Sequence, residues 1–319
     1  MKRGLLLLLS VACSILAALV QHSMAQVQID KRKPVAANTV VSIESNYGTI
    51  QVTGWDKNEV WVRGTLAPGA RELEFDTTVE DDEDENDKPI KRHWATIQVD
   101  TPDASTFESD DDSDYRSKLE INVPKSSPLM IKTVNAAITV VGVASEQEIG
   151  SINGPIKVQG GAGEFQAESL TGSIEYEGQA SSAAIETVSG AIKIGAISGE
   201  ARLESVAGNI TVGARRLREL AIQTTSGNIT VSGSLANPGQ WRIESFSGNV
   251  TLEFPEGAMG QFSARTASGE ITSNVGTKPR RTERFHPFKV LEFQIGSNES
   301  EVEVETYSGA ITIRSGAKP

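Results

Sequence analysis

The sequence predicts an all-β protein built as a parallel β-solenoid, and three observations carry that prediction. A short phrase, a small turn ending in Gly followed by an alternating strand, occurs ten times. It reads Tyr47-Gly48-Thr49-Ile50-Gln51-Val52, then Asn135-Ala136-Ala137-Ile138-Thr139-Val140, and returns at Gly154, Gly172, Gly190, Gly208, Gly227, Gly248, Gly269 and Gly309. The interval is 18 residues from Ala136 to Gly208, then 19, 21, 21 and 40. A fixed period near 20 with strand-like content marks stacked coils, none of which can bury its apolar face alone. Within each coil the apolar residues alternate: Phe165, Ala167 and Ser169 precede Gly172, and Ile174 and Tyr176 follow it. That period of two leaves one face of each strand buried.

The elements follow in chain order. Residues 1–25 read as a cleaved export signal, with Lys2 and Arg3 before an apolar run from Leu5 to Val20. Ser23-Met24-Ala25 supplies the small residues a signal peptidase needs, so cleavage is expected after Ala25. Residues 26–125 are expected to hold a first coil, Val40 to Trp55, and a β-rich cap. The cap's strand candidates are Glu59–Leu66, Trp94–Asp100 and Lys118–Val123, with two acidic loops, Glu80–Asp87 and Glu108–Asp114. Residues 126–319 carry the main array of 18–21-residue coils. Ala214–Leu220 is a short basic excursion where the spacing slips, and 278–289 is a basic-aromatic insertion. The corner Gly is expected either to need positive φ or to leave no room for a Cβ. A hexapeptide acyltransferase helix fails on its period. Steps of six from Ile156 land on Glu168 and Glu186, placing a charge on every third core position.

Charge and cysteine content narrow the function classes. The sole Cys, Cys13, lies in the signal, so the exported chain has no disulfide to hold it. Without Lys2 and Arg3 it carries 28 Lys+Arg against 42 Asp+Glu, a formal charge of −14. Such a balance argues against nucleic acid and anionic membranes as partners. No further apolar run is long enough to span a bilayer. Asp76 to Glu120 alone holds 16 acidic and 5 basic residues.

No catalytic set, cofactor site or metal site emerges. The exported chain has two histidines, His93 and His286, both in insertions, where a packing or surface role is the simpler reading. Asp110-Asp111-Asp112-Ser113-Asp114 starts like an EF-hand loop, but Tyr115 and Ile121 replace its Gly and bidentate Glu. Glu168, Glu186, Glu204, Glu244 and Glu305 share one outward position in different coils. They read either as a cation- or sugar-binding stripe or as a solvated stripe relieved by Lys157, Lys193 and Arg202. Lys157, Glu175 and Lys193 alternate in sign at another shared position. Asn209, Asn228 and Asn249 follow corner glycines and suit a hydrogen-bonded ladder better than glycosylation. Trp55, Trp61, Trp94 and Trp241 are candidates for sugar platforms or for packing. The candidate interaction surface is the basic insertion, with Arg280, Arg281, Arg284, His286 and Lys289 facing an acidic partner.

Gly48-Thr49-Ile50-Gln51-Val52-Thr53-Gly54-Trp55-Asp56, then Leu119-Glu120-Ile121-Asn122-Val123-Pro124, then the closing Glu305-Thr306-Tyr307-Ser308-Gly309-Ala310-Ile311-Thr312-Ile313, carry a resemblance. The chain resembles the bacterial putative-adhesin family, domain of unknown function 4097, over about Val27 to Arg314. The resemblance implies a right-handed solenoid in an exported or envelope protein, with no catalytic residues to carry over. The expectation is a non-enzymatic scaffold or binding surface of the periplasm or cell surface, whose partner is an envelope protein or a polysaccharide. The alternatives are a polysaccharide lyase or hydrolase on a β-helix, and a self-assembling structural protein. Oligomeric state is not legible.

Overall fold

The computed structural model describes residues 26–67, 70, 72–83, 88–99, 116–276, 278–281, 288–296 and 299–316. The signal segment, the acidic stretch 108–114 with its EF-hand-like start, and Arg284 and His286 lie outside them. The described residues form 25 strands and no helix, joined through one hydrogen-bonded sheet.

Two parallel rows of strands build the body. In the first row Leu129–Thr133, Gln147–Ser151, Glu164–Ser169, Ser182–Thr187 and Glu200–Ser205 stack in order. In the second, Ala137–Val141, Ile156–Gln159, Ile174–Glu177 and Ile192–Ile197 do the same. Ile156 pairs with Ile138 on one side and Ile174 on the other, so like residues stack on like. The inward Ile, Val, Leu and Ala residues of both rows merge into one core. Larger gaps are filled by aromatic pairs, Phe165 on Tyr176 at 4.3 Å and Trp241 on Phe254 at 5.7 Å.

The corner between the rows explains the recurring glycine. Apart from Gly48, with φ of 116°, these glycines do not take positive φ; they lack space. A Cβ on Gly208 would lie 1.9 Å from the carbonyl oxygen of Gly190, and one on Gly248 would lie 1.9 Å from that of Gly227. From Gly190 onward the inward Ser or Thr three residues earlier completes the corner. Its hydroxyl accepts the glycine N–H, at 2.8 Å from Ser205 to Gly208 and 3.0 Å from Thr306 to Gly309. A buried amide that the ladder leaves unpaired is thereby satisfied.

Stacking does not follow chain order at the ends. The C-terminal coil, Glu301–Thr306 with Ile311–Ser315, sits between the coil of Gln240 to Phe254 and the coil of Gly260 to Ser273. At the other end Val40–Ser45 and Thr49–Trp55 sit between an outer layer, Pro89–Val99 with Lys118–Pro124, and the next inner layer, Leu129–Thr133 with Ala137–Val141. Antiparallel strands then cover the outermost parallel layers, apart from the short strand Ile271–Ser273. Leu73–Glu83 pairs with Pro89–Val99, and Glu59–Leu66 lies on Lys118–Pro124 with Val27–Pro34 beyond it. Lys289–Ile295 covers Gly260–Thr266. Parallel edges left bare would recruit other chains, and these strands occupy them.

Two expected irregular segments are strands. Glu80 to Glu83, expected in an acidic loop, continue Leu73–Glu83, where pairing across the hairpin sets Asp81 beside Lys91 at 2.9 Å. The excursion Ala214–Leu220 lies inside the continuous strand Ile210–Thr224. There two register shifts and a positive φ of 54° at Arg216 absorb the extra residue.

Candidate functional site

The corner also shapes the surface. As the chain leaves the first row it presents an outward carboxylate, tucks in the Ser or Thr, and then turns the next residue out again. Repeated over successive coils, this makes a groove of about 1310 Å³ along the stack. One wall is the Glu column and the floor is the Ser/Thr ladder. The other wall is a line of exposed apolar residues: Ile152, Leu170, Val188, Val206, Phe246 and Tyr307. Phe246 and Tyr307 are stacked at 5.1 Å, nearly parallel, and are 59% and 57% exposed. Such a line of large apolar residues in water, broken at Thr225, is not expected of an idle surface.

The carboxylates share one register: Glu168 pairs with Glu186, Glu186 with Glu204, Gln223 with Glu244, and Glu244 with Glu305. Lys132 precedes the column, separated from Glu168 by Gly150, and Arg265 closes its other end. Lys157 and Lys193, expected to relieve these charges, do not reach them. Both serve Glu175 in the second row, at 3.3 and 2.6 Å, and hold its carboxyl below the ordinary 4.5. Arg202 does pair with Glu204, at 2.7 Å, and Gln223 donates to Glu244 at 3.4 Å. Among the described residues, no ion pair neutralises Glu168 or Glu186.

The basic insertion is partly engaged with its own chain. Arg280–Arg281 pairs with the strand Lys289–Ile295 to form a hairpin. Arg280 meets Glu292 at 2.8 Å, and Lys289 bonds Glu270, whose carboxyl it holds below its ordinary value. Arg281 is exposed. Phe288, from the same insertion, reaches the end of the groove, where the Arg265 guanidinium lies 5.2 Å from its ring.

Other singled-out residues have structural posts. Asn209 and Asn228 each accept the backbone N–H of the equivalent residue one coil on, at 3.0 and 3.1 Å, and Asn249 accepts that of Ala310 at 2.9 Å. The ladder is thus side chain to backbone. Trp241 is buried and donates to the Leu217 carbonyl at 3.2 Å. Trp61 lies between Arg32 and Arg63, 3.9 and 4.4 Å from its ring, and donates to Asp30 at 2.7 Å. His93 sits in the hairpin strand Pro89–Val99, opposite Val79. The apolar wall escaped the sequence reading, although its signal was there. It is the variable residue of Glu-Ser-Leu170-Thr-Gly, Glu-Thr-Val188-Ser-Gly and Glu-Ser-Val206-Ala-Gly, visible once coils are set under one another.

Fold and groove together define an all-β solenoid with a corner-lined surface channel. The chain belongs to the family described as Toastrack DUF4097, whose model matches residues 21–314. Similar solved structures include a "putative cell adhesion protein" from Clostridium sporogenes, 14% identical, covering 91% of this chain and 100% of that one, with a TM-score of 0.22. A "putative adhesin" from Bacteroides fragilis is 12% identical, covering 91% and 98%, with a TM-score of 0.37. A "putative lipid binding protein" from Parabacteroides distasonis is 10% identical, covering 91% and 97%, with a TM-score of 0.34. No curated protein matches the chain.

Proposed function

We propose that the protein is a non-catalytic, exported solenoid of the cell envelope whose corner groove is its binding surface, wound right-handed as connections between parallel strands overwhelmingly are. The observation that carries this reading is the pairing of an acidic and an apolar wall along the same corner, both unbroken from Glu168 and Leu170 to Glu204 and Val206. Export is supported by the basic, apolar and small-residue order of residues 1–25. Among the described residues no helix is long and apolar enough to cross a membrane.

Co-sedimentation of residues 26–319 with isolated bacterial envelopes tests the reading. Replacing Leu170, Val188 and Val206 by Ser should lower the bound fraction severalfold without changing the far-ultraviolet spectrum. Equal binding of the variant and the unsubstituted chain would remove the groove from the function. The lyase alternative predicts unsaturated products from uronate polymers incubated with the same protein.

A further inference from the structure

The groove's occupant can be narrowed by charge, wall chemistry and pitch. The inference rests on the groove being a binding surface. This fold neutralises a stacked charge column where it has no use for the charge: Glu175 sits between Lys157 and Lys193. Glu168 and Glu186, directly paired and exposed, receive no such cation among the described residues. Like charges at this separation repel, so the column favours an added cation. A metal ion is a poor match, since among the described residues no group of three or more His, Cys, Asp or Glu is placed to hold one. A metal would also leave the apolar wall of Leu170, Val188 and Val206 without a partner. The occupant must carry regularly spaced positive charge and present hydrocarbon between the charges.

Pitch selects among such molecules. Stacked strands place successive carboxylates about 4.8 Å apart. Two amines joined by three methylenes lie about 5 Å apart when extended, from ordinary C–C and C–N bond lengths. An extended peptide repeats its same-side residues every ~6.6 Å and falls out of step with the coils. We propose that the groove binds a linear aliphatic polyamine laid along the solenoid axis, two ammonium groups on Glu168 and Glu186, a third sharing Glu204 with Arg202, and its methylenes on Leu170, Val188 and Val206. Lys132 and Arg265 bound the site electrostatically at its two ends.

Titration calorimetry of residues 26–319 at low ionic strength, with bis(3-aminopropyl)amine as probe, tests the proposal. Saturable binding is expected, weakening in salt. Loss of two charge-assisted contacts in the double variant E168Q/E186Q should weaken it at least about tenfold. Bis(6-aminohexyl)amine, with the same charge but spacers twice as long, should bind severalfold more weakly. Equal affinity for the two triamines, unchanged binding in the double variant, or tighter binding of a lysine oligopeptide would each overturn the proposal. Should the double variant not fold, the comparison of spacers on the unsubstituted chain decides. If no triamine binds while envelope binding still depends on Leu170, Val188 and Val206, the polyamine falls and the groove reading stands.

Discussion

At the corner glycines a single hydrogen atom separates a closed stack from a blocked one. Gly208 keeps ordinary φ, yet a Cβ there would collide with the backbone of the coil before it, and backbone cannot swing aside. Gly257 is the converse, with φ of +84° and nothing within 4 Å of an added Cβ. Gly208→Ala should therefore cost about 1–3 kcal/mol as overpacking does. Gly257→Asn should cost little, because Asn tolerates left-handed backbone. Urea denaturation of the two variants checks the contrast, and equal losses would contradict it. The sequence marked all these corners by interval alone. It could not say which of two glycine properties was in use, because φ and free space are both settled by the neighbouring coil.

Along an element the unit of stabilisation is a column, one residue per coil. Lys157, Glu175 and Lys193 form such a column, and their partnership also holds Lys193 above its ordinary value. Because the folded Glu175 carboxyl titrates below 4.5, its contribution is present above that pH and is lost as pH falls through the lower folded value. Unfolding midpoints measured from pH 6 down to pH 2 should show part of the acid limb disappear in Glu175→Gln. Added salt should shrink the same part, since the side chains are substantially exposed. The alternation in sign of this column was legible because charged residues declare themselves. The apolar wall was not, because an isolated Leu or Val between Ser and Thr looks unremarkable within one coil. Only stacking turns Leu170, Val188 and Val206 into a surface, and stacking is a property of three dimensions. The misplaced relief of the Glu column has the same origin. Lys157 and Lys193 are near it in sequence but belong to the other row.

For the whole molecule the telling feature is that the first and last parallel coils, Val40 to Trp55 and Glu301 to Ser315, lie one layer inward. The repeating coils, the first coil at Val40 to Trp55 and the capping strand Glu59–Leu66 were readable from period and alternation. Trp94 and Lys118–Val123, expected in the cap, belong instead to the outermost parallel layer. The spatial order of the coils at the ends was not readable, since a 40-residue interval before Gly309 fits stacking outside or inside the preceding coil equally well. The inward position makes the C-terminal coil a bridge. Glu301–Thr306 pairs with Gln240 to Ser245 on one side and with Gln261 to Thr266 on the other. A chain ending at Ser300 should leave residues 260–296 open to protease while 147–224 remain protected. Limited proteolysis with mass spectrometry reads this directly, and equal protection of the two segments would contradict the bridging role.

The same arrangement governs how such a molecule can change in size. A coil added after the C-terminal one would have to break into layers already paired on both sides. A coil added or removed between Ile174 and Gly208 meets only copies of itself, with the corner glycines, hydroxyls and row pairings reproduced on each side. Length can therefore vary from within, in steps of about 4.8 Å. Each step would lengthen or shorten the groove by one carboxylate and one apolar residue, making the reach of the binding surface a count of interior coils.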